Sequence, residues 1–163
     1  MVADPEKSVP YLISVMDTKS ARERHCIRKI LKEIGSPAVK PLLEALRSDD
    51  WLSGPDLGEI GDKRAAKPIM KLLGHSCRWQ VLSAAATALG KLKSWEAVGP
   101  LINLFEREKS RFVRKSVVVA LGRIGDPRAI PVLMEALSAP CYAVRYPAKD
   151  ALLLSLFESY GTV

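Results

Sequence analysis

Apolar positions recur along this chain in a five-residue block: small or apolar, apolar, variable, usually proline, then leucine or isoleucine. The block reads Ala38-Val39-Lys40-Pro41-Leu42, Ala65-Ala66-Lys67-Pro68-Ile69, Ala97-Val98-Gly99-Pro100-Leu101 and Ala129-Ile130-Pro131-Val132-Leu133. A fainter copy, Val9-Pro10-Tyr11-Leu12, opens the chain. The closing positions 12, 42, 69, 101 and 133 lie 30, 27, 32 and 32 residues apart, a period that marks stacked repeats. Each block continues at helical spacing: Leu42 with Leu46, Ile69 with Leu73, Leu101 with Phe105, Leu133 with Leu137, and Leu12 with Met16. These segments predict the second, or B, helix of each repeat. Proline near the start is tolerated because first-turn amides have no intrahelical partner.

A second pattern precedes most B helices: Leu57-Gly58-Glu59-Ile60-Gly61-Asp62, Leu89-Gly90-Lys91-Leu92-Lys93-Ser94 and Leu121-Gly122-Arg123-Ile124-Gly125-Asp126, with Leu31 to Ser36 as a variant. The first glycine costs about 1 kcal/mol inside a helix, and its recurrence implies close approach of a neighbouring helix. The second, at Gly35, Gly61 and Gly125, suits the left-handed residue that ends a helix. Ser36, Asp62, Ser94 and Asp126 then cap the next helix. The pattern predicts first, or A, helices near 19–33, 77–91, 109–123 and 141–158. In the second repeat, Asp49 to Asp56 is too short for a full A helix, and only Pro55 to Ile60 is expected to be helical, with Pro55 first.

These residues resemble the HEAT-like repeat first associated with phycobilisome lyases. Ala120 to Leu133 carries the likeness, and Val113-Arg114 and Val144-Arg145 stand where that family places a Val-Arg pair. The resemblance implies an all-α, right-handed α-solenoid (superhelix) of about five HEAT-like helical hairpins, its concave face lined by B helices. The units would be 1–18 (a half repeat or cap), 19–48, 49–75, 76–107, 108–139 and 140–163 (a second half repeat), in one domain. By the same resemblance Asp62 and Asp126 would bond to the arginine of a neighbouring repeat, with the third repeat departing through Leu82, Lys93 and Ser94. The family includes bilin lyases, hydroxylases and scaffolds. The His-Glu pairs that the hydroxylases use for iron are absent here.

At 163 residues, 48% hydrophobic and 26% charged, the chain can bury a core and wet its surface. No apolar run approaches the length of a membrane span, and Met1 to Pro10 lacks a signal-peptide core, so a cytoplasmic protein is expected. Cys26, Cys77 and Cys141 are too few and too scattered for a disulfide framework or a structural zinc site. No catalytic motif is present, and no enzyme, metal or cofactor is expected.

The net charge of +7 is uneven: Lys63 to Trp95 holds seven Lys and Arg and no Asp or Glu. Lys63, Lys67 and Lys71 make one stripe on the second repeat's B helix. The function expected is a non-enzymatic interaction module or scaffold with a protein partner, acidic ones included, on the concave face at Lys40, Arg47, Lys67, Lys71, Asn103 and Glu135. The alternatives are a bilin-lyase-like or phycobiliprotein-handling subunit and, in a different class, a nucleic-acid binder. The second of these is disfavoured because that column is not basic throughout and contains no aromatic. Trp51, Trp79 and Tyr142 are candidate aromatic anchors. Leu152, Leu153, Leu156 and Phe157, on a last A helix without a following B helix, suggest self-association through the C-terminal helix, ahead of a longer array or a lid formed by Glu158 to Val163.

Overall fold

A computed structural model describes residues 5–16, 20–48, 53–76 and 78–160, without the side chains of 5, 6 and 156–160. The described residues form ten α-helices and no strand. The B helices are α1 (Pro5–Met16), α3 (Ser36–Arg47), α5 (Ala66–His75), α7 (Val98–Arg107) and α9 (Ile130–Leu137). The A helices are α2 (Ala21–Ile34), α4 (Ser53–Ile60), α6 (Trp79–Lys91), α8 (Arg111–Ile124) and α10 (Tyr142–Tyr160). Single 3₁₀ turns at Lys63–Ala65, Trp95–Ala97 and Pro127–Ala129 lead into α5, α7 and α9. Among the described residues, no helix is long and apolar enough to cross a membrane.

α4 is short, as its sequence predicts, but it takes in Ser53 and Gly54 and sets Pro55 at the third position rather than the first. Pro55 still falls in the first turn, where its missing N–H costs nothing. Gly54 is needed there because a Cβ on it would lie 2.6 Å from the Cβ of Ala84.

The turns differ from the family expectation in one respect. Asp62 and Asp126 bind the arginine two residues on, not one in a neighbouring repeat. Each accepts the backbone N–H of Arg64 or Arg128 on Oδ1, and the same arginine's guanidinium closes on the carboxylate, with Nη2 2.6 and 2.7 Å from Oδ2. The Val-Arg arginines are at the opposite end of the A helix. There Arg114 Nε donates to the carbonyls of Phe105 and Glu108, and Arg145 Nη1 to that of Ala139, tying off the preceding B helix. The link between repeats at the turn is instead Ser36 Oγ donating to Asp62 Oδ2 at 3.0 Å and Arg128 Nη2 donating to the Trp95 carbonyl at 3.1 Å.

One continuous core lies between the two rows. Leu42, Leu57, Ile69, Leu89, Leu101, Phe105 and Leu121 are fully buried in it. The rows are unequally spaced. From α4 to α10 the A helices approach until backbones nearly touch, whereas α5 meets α3 and α7 much more sparingly than α6 meets α4 and α8.

Candidate partner-binding faces

The six residues of the sequence-derived column, Lys40, Arg47, Lys67, Lys71, Asn103 and Glu135, are all exposed on α3, α5, α7 and α9. The structure sets them along one row of helices. Glu135 faces Arg114 at 3.9 Å, an open ion pair of little energetic weight. Trp51 and Cys77 lie outside the described residues, as do the side chains of Leu156 and Phe157, on which self-association was expected to turn. Cys26 is exposed and Cys141 half-buried, and both are free thiols.

The A row presents a different surface. Its helices partly expose positions a turn apart, so that Pro55 on α4, Ser83 and Thr87 on α6, and Ser116 and Val119 on α8 make a band of small side chains. Ser83 Oγ and Ser116 Oγ bridge two of these helices at 2.6 Å. Aromatics border the band at the N-terminal turns. Trp79 and Phe112 stack with ring centroids 4.8 Å apart, and Arg111 lies 5.0 Å from the centre of the Phe112 ring. On α10, Tyr142 and Tyr146 lean together at 5.7 Å. All four rings are about half exposed or more. A cavity of about 240 Å³ opens between Trp79, Pro55, Ser83, Ala84 and Thr87, beside the first turn of α4.

Charges border the other side of the band. Glu59 lies 2.5 Å from Lys91 Nζ and 3.9 Å from Lys32 Nζ. The Lys91 hydrogen bond holds the Glu59 carboxyl below its ordinary range, partial burial works against this, and the charges of Lys91, Lys32 and Arg123 add to the lowering. Next to it a cavity of about 330 Å³ is lined by His25, Arg28, Lys29, Lys32, Lys91 and the buried Asp56. Asp56 occupies the position that Ala88 and Ala120 hold in the following A helices. Its carboxylate lies 3.0 Å from Arg28 Nε, yet out of line for a hydrogen bond, and neither oxygen finds another partner among the described residues.

The anchors singled out in the sequence are therefore half of what the structure assembles. Trp79 and Tyr142 are on this face, and Phe112 and Tyr146 complete the pairs. Phe112 was legible only as a second aromatic at the start of the next A helix. The band of small residues carries no sequence signal, because serine, threonine and alanine at those positions look like ordinary helix surface.

A stack of antiparallel helix pairs with interhelical glycines and Asp-capped turns defines the class, an all-α stack of helical repeats. Residues 75–153 match the family described as HEAT repeats. Among solved structures it is similar to the complex of CpcE and CpcF of phycocyanin lyase from Nostoc sp. PCC7120, with a TM-score of 0.68 at 23% identity. That likeness is one of fold, and it covers 90% of this chain and 64% of that one. No curated protein matches the sequence.

Proposed function

We propose that this chain is a protein-binding solenoid, a right-handed superhelix whose A-helix row is the inner wall and takes the partner. In a curved stack the more closely spaced row lies inside the bend, and here the A helices approach most closely. The sequence reading put the partner on the B-helix column instead. That column offers charge along a helix row but no aromatic anchor.

The observation that carries the proposal is the Trp79–Phe112 stack beside its cavity and its floor of small residues. Half-exposed aromatics next to a pocket, a neutral middle and a charged border are the parts from which protein interfaces are built. Helices locked by backbone contact hold those parts in place, so little of this surface must be ordered on binding.

For the kind of partner, the fold likeness to the complex of CpcE and CpcF of phycocyanin lyase supports handling of a phycobiliprotein, alongside a second protein, over a scaffold of general purpose. On this proposal the chain acts in the cytoplasm by holding its partner and contributes no catalytic group of its own.

The test is surface plasmon resonance with phycocyanin apoprotein immobilised and this chain in solution. Wild type is expected to bind. Trp79→Ala with Phe112→Ala is expected to weaken binding by about tenfold or more, as loss of paired anchors does. Lys40→Glu with Lys71→Glu should leave it unchanged. Sensitivity only to the lysine reversals would return the partner to the B-helix row. No binding by folded wild type would sink the phycobiliprotein reading.

A further inference from the structure

The turn between α6 and α7 departs from its sister turns at four successive positions. Where the second repeat has Gly61-Asp62-Lys63-Arg64 and the fourth has Gly125-Asp126-Pro127-Arg128, the third has Lys93-Ser94-Trp95-Glu96. Each exchange has a structural consequence. Lys93 takes the left-handed conformation that glycine holds elsewhere, with φ 49°, and is the only described non-glycine residue to do so. Ser94 makes no side-chain cap, whereas Asp62 and Asp126 both do. Glu96 replaces the arginine, so the carboxylate–guanidinium clasp that neutralises the sister turns is missing. Trp95 is 65% exposed where the fourth repeat has a proline.

This turn and the start of α5 enclose a cavity of about 500 Å³, lined by Lys63, Arg64, Lys67, Lys93, Trp95 and Glu96 among others. Arg64 is held by Asp62. Among the described residues, Lys63, Lys67 and Lys93 have no carboxylate partner. The cavity therefore combines unpaired ammonium groups from two repeats with an indole that nothing covers. An exposed tryptophan and a strained lysine are costs to the free protein, and they coincide at one place.

We propose that this cavity is a docking seat for an acidic segment of a partner protein, one that lays carboxylates against Lys63, Lys67 and Lys93 and an aromatic side chain on Trp95. Charge complementarity selects the occupant. The third repeat's turn lacks the aspartate of its sisters, and the second repeat's Asp62 is taken by Arg64, so Lys63, Lys67 and Lys93 are left to a carboxylate from outside. Glu96 on the rim, and the absence of a second exposed aromatic in the lining to continue a stack, favour a peptide over a nucleic-acid strand, whose evenly spaced phosphates want an uninterrupted basic track. The seat is at the turn edge, apart from the Trp79–Phe112 face, and stands independently of the function proposed for that face.

The probe is a short fluorescein-labelled peptide of Glu and Asp around one Phe, measured by fluorescence anisotropy. Wild type is expected to bind it, and Lys63→Glu with Lys67→Glu to weaken binding by about tenfold, which is the expected scale for loss of close charge pairs. Trp95→Ala should weaken it several-fold for that peptide and not for one with Ser in place of Phe. Trp79→Ala, on the other face, should change nothing. A variant carrying Lys93→Gly, Ser94→Asp, Trp95→Pro and Glu96→Arg together restores the sister sequence. It should melt several degrees higher than wild type and lose the peptide, which separates loss of the seat from loss of the fold. Equal binding by wild type and the restored turn would overturn the proposal. So would tighter binding of oligothymidine than of the peptide, which would assign the basic turn to nucleic acid.

Discussion

Gly90→Val is expected to cost this protein most of its stability, about 3 kcal/mol or more, read as a shift of the urea midpoint or as loss of the folded state. Gly90 lies in the last turn of α6, facing α8. A Cβ placed on it would lie 2.6 Å from Ala120 Cα and 2.8 Å from Ala120 Cβ. The obstacle is largely backbone and cannot turn aside as a flexible side chain would. Gly122 repeats the arrangement one helix later, with its Cβ position 2.5 Å from Ala151 Cβ. To admit valine, α6 and α8 must separate, and the buried leucines between the rows lose contact along with them. Gly99 supplies the control. It is exposed on α7 with nothing within 4 Å of a Cβ, so Gly99→Ala should stabilise by up to about 1 kcal/mol through helix propensity alone. If Gly90→Val and Gly99→Ala behaved alike, the close packing of the A row would be wrong.

Asp56→Ala is expected to make the protein more stable at neutral pH, by about 1–3 kcal/mol. Burial pushes the Asp56 carboxyl up to about 6, while Arg28 and then Lys91 pull it back only in part. The sign comes from proton linkage. A carboxyl that holds its proton more tightly when folded opposes folding once it must ionise, so stability falls as pH rises from about 4 to about 6 and stays lower above that. The shift from 3.8 to about 6 corresponds to roughly 3 kcal/mol. Alanine is what the next two A helices carry at this position, so the replacement fits the packing. The gain over wild type should be largest above pH 6 and vanish near pH 4, as measured by urea unfolding across that range. Arg28→Ala should act in the opposite direction, because it leaves the buried carboxylate without its nearest cation. A gain in Asp56→Ala that persists unchanged at pH 4 would show that the ionised carboxylate is not the cause.

Asp56 and Trp95 share a property. Each breaks the repeat's own rule at a cost to the isolated chain, and each lines a cavity. Exceptions of this kind in an otherwise regular array are where binding is expected to concentrate, since natural sequences violate local rules mainly at functional sites.

What the sequence determined by itself was the repeat. A leucine or isoleucine at a fixed place in each B helix with a proline near it, the glycines Gly35, Gly61 and Gly125, and the capping residues Asp62 and Asp126 are local requirements of helix starts and stops, so they are written at near-regular spacing in the chain. Even the shortness of α4 could be read from the 27-residue interval. The tertiary structure decided everything that depends on which repeat lies beside which. The pairing of Ser36 with Asp62, the meeting of Trp79 with Phe112, the burial of Asp56 among the cations of α2 and α6, and the cavity between Lys67 and Trp95 all join residues whose relation is set by the stacking of rows. A period of about 30 residues fixes that stacking only roughly. The row spacing that chooses between the two faces comes from contacts such as Gly90 on Ala120, and one glycine in a helix does not announce its neighbour.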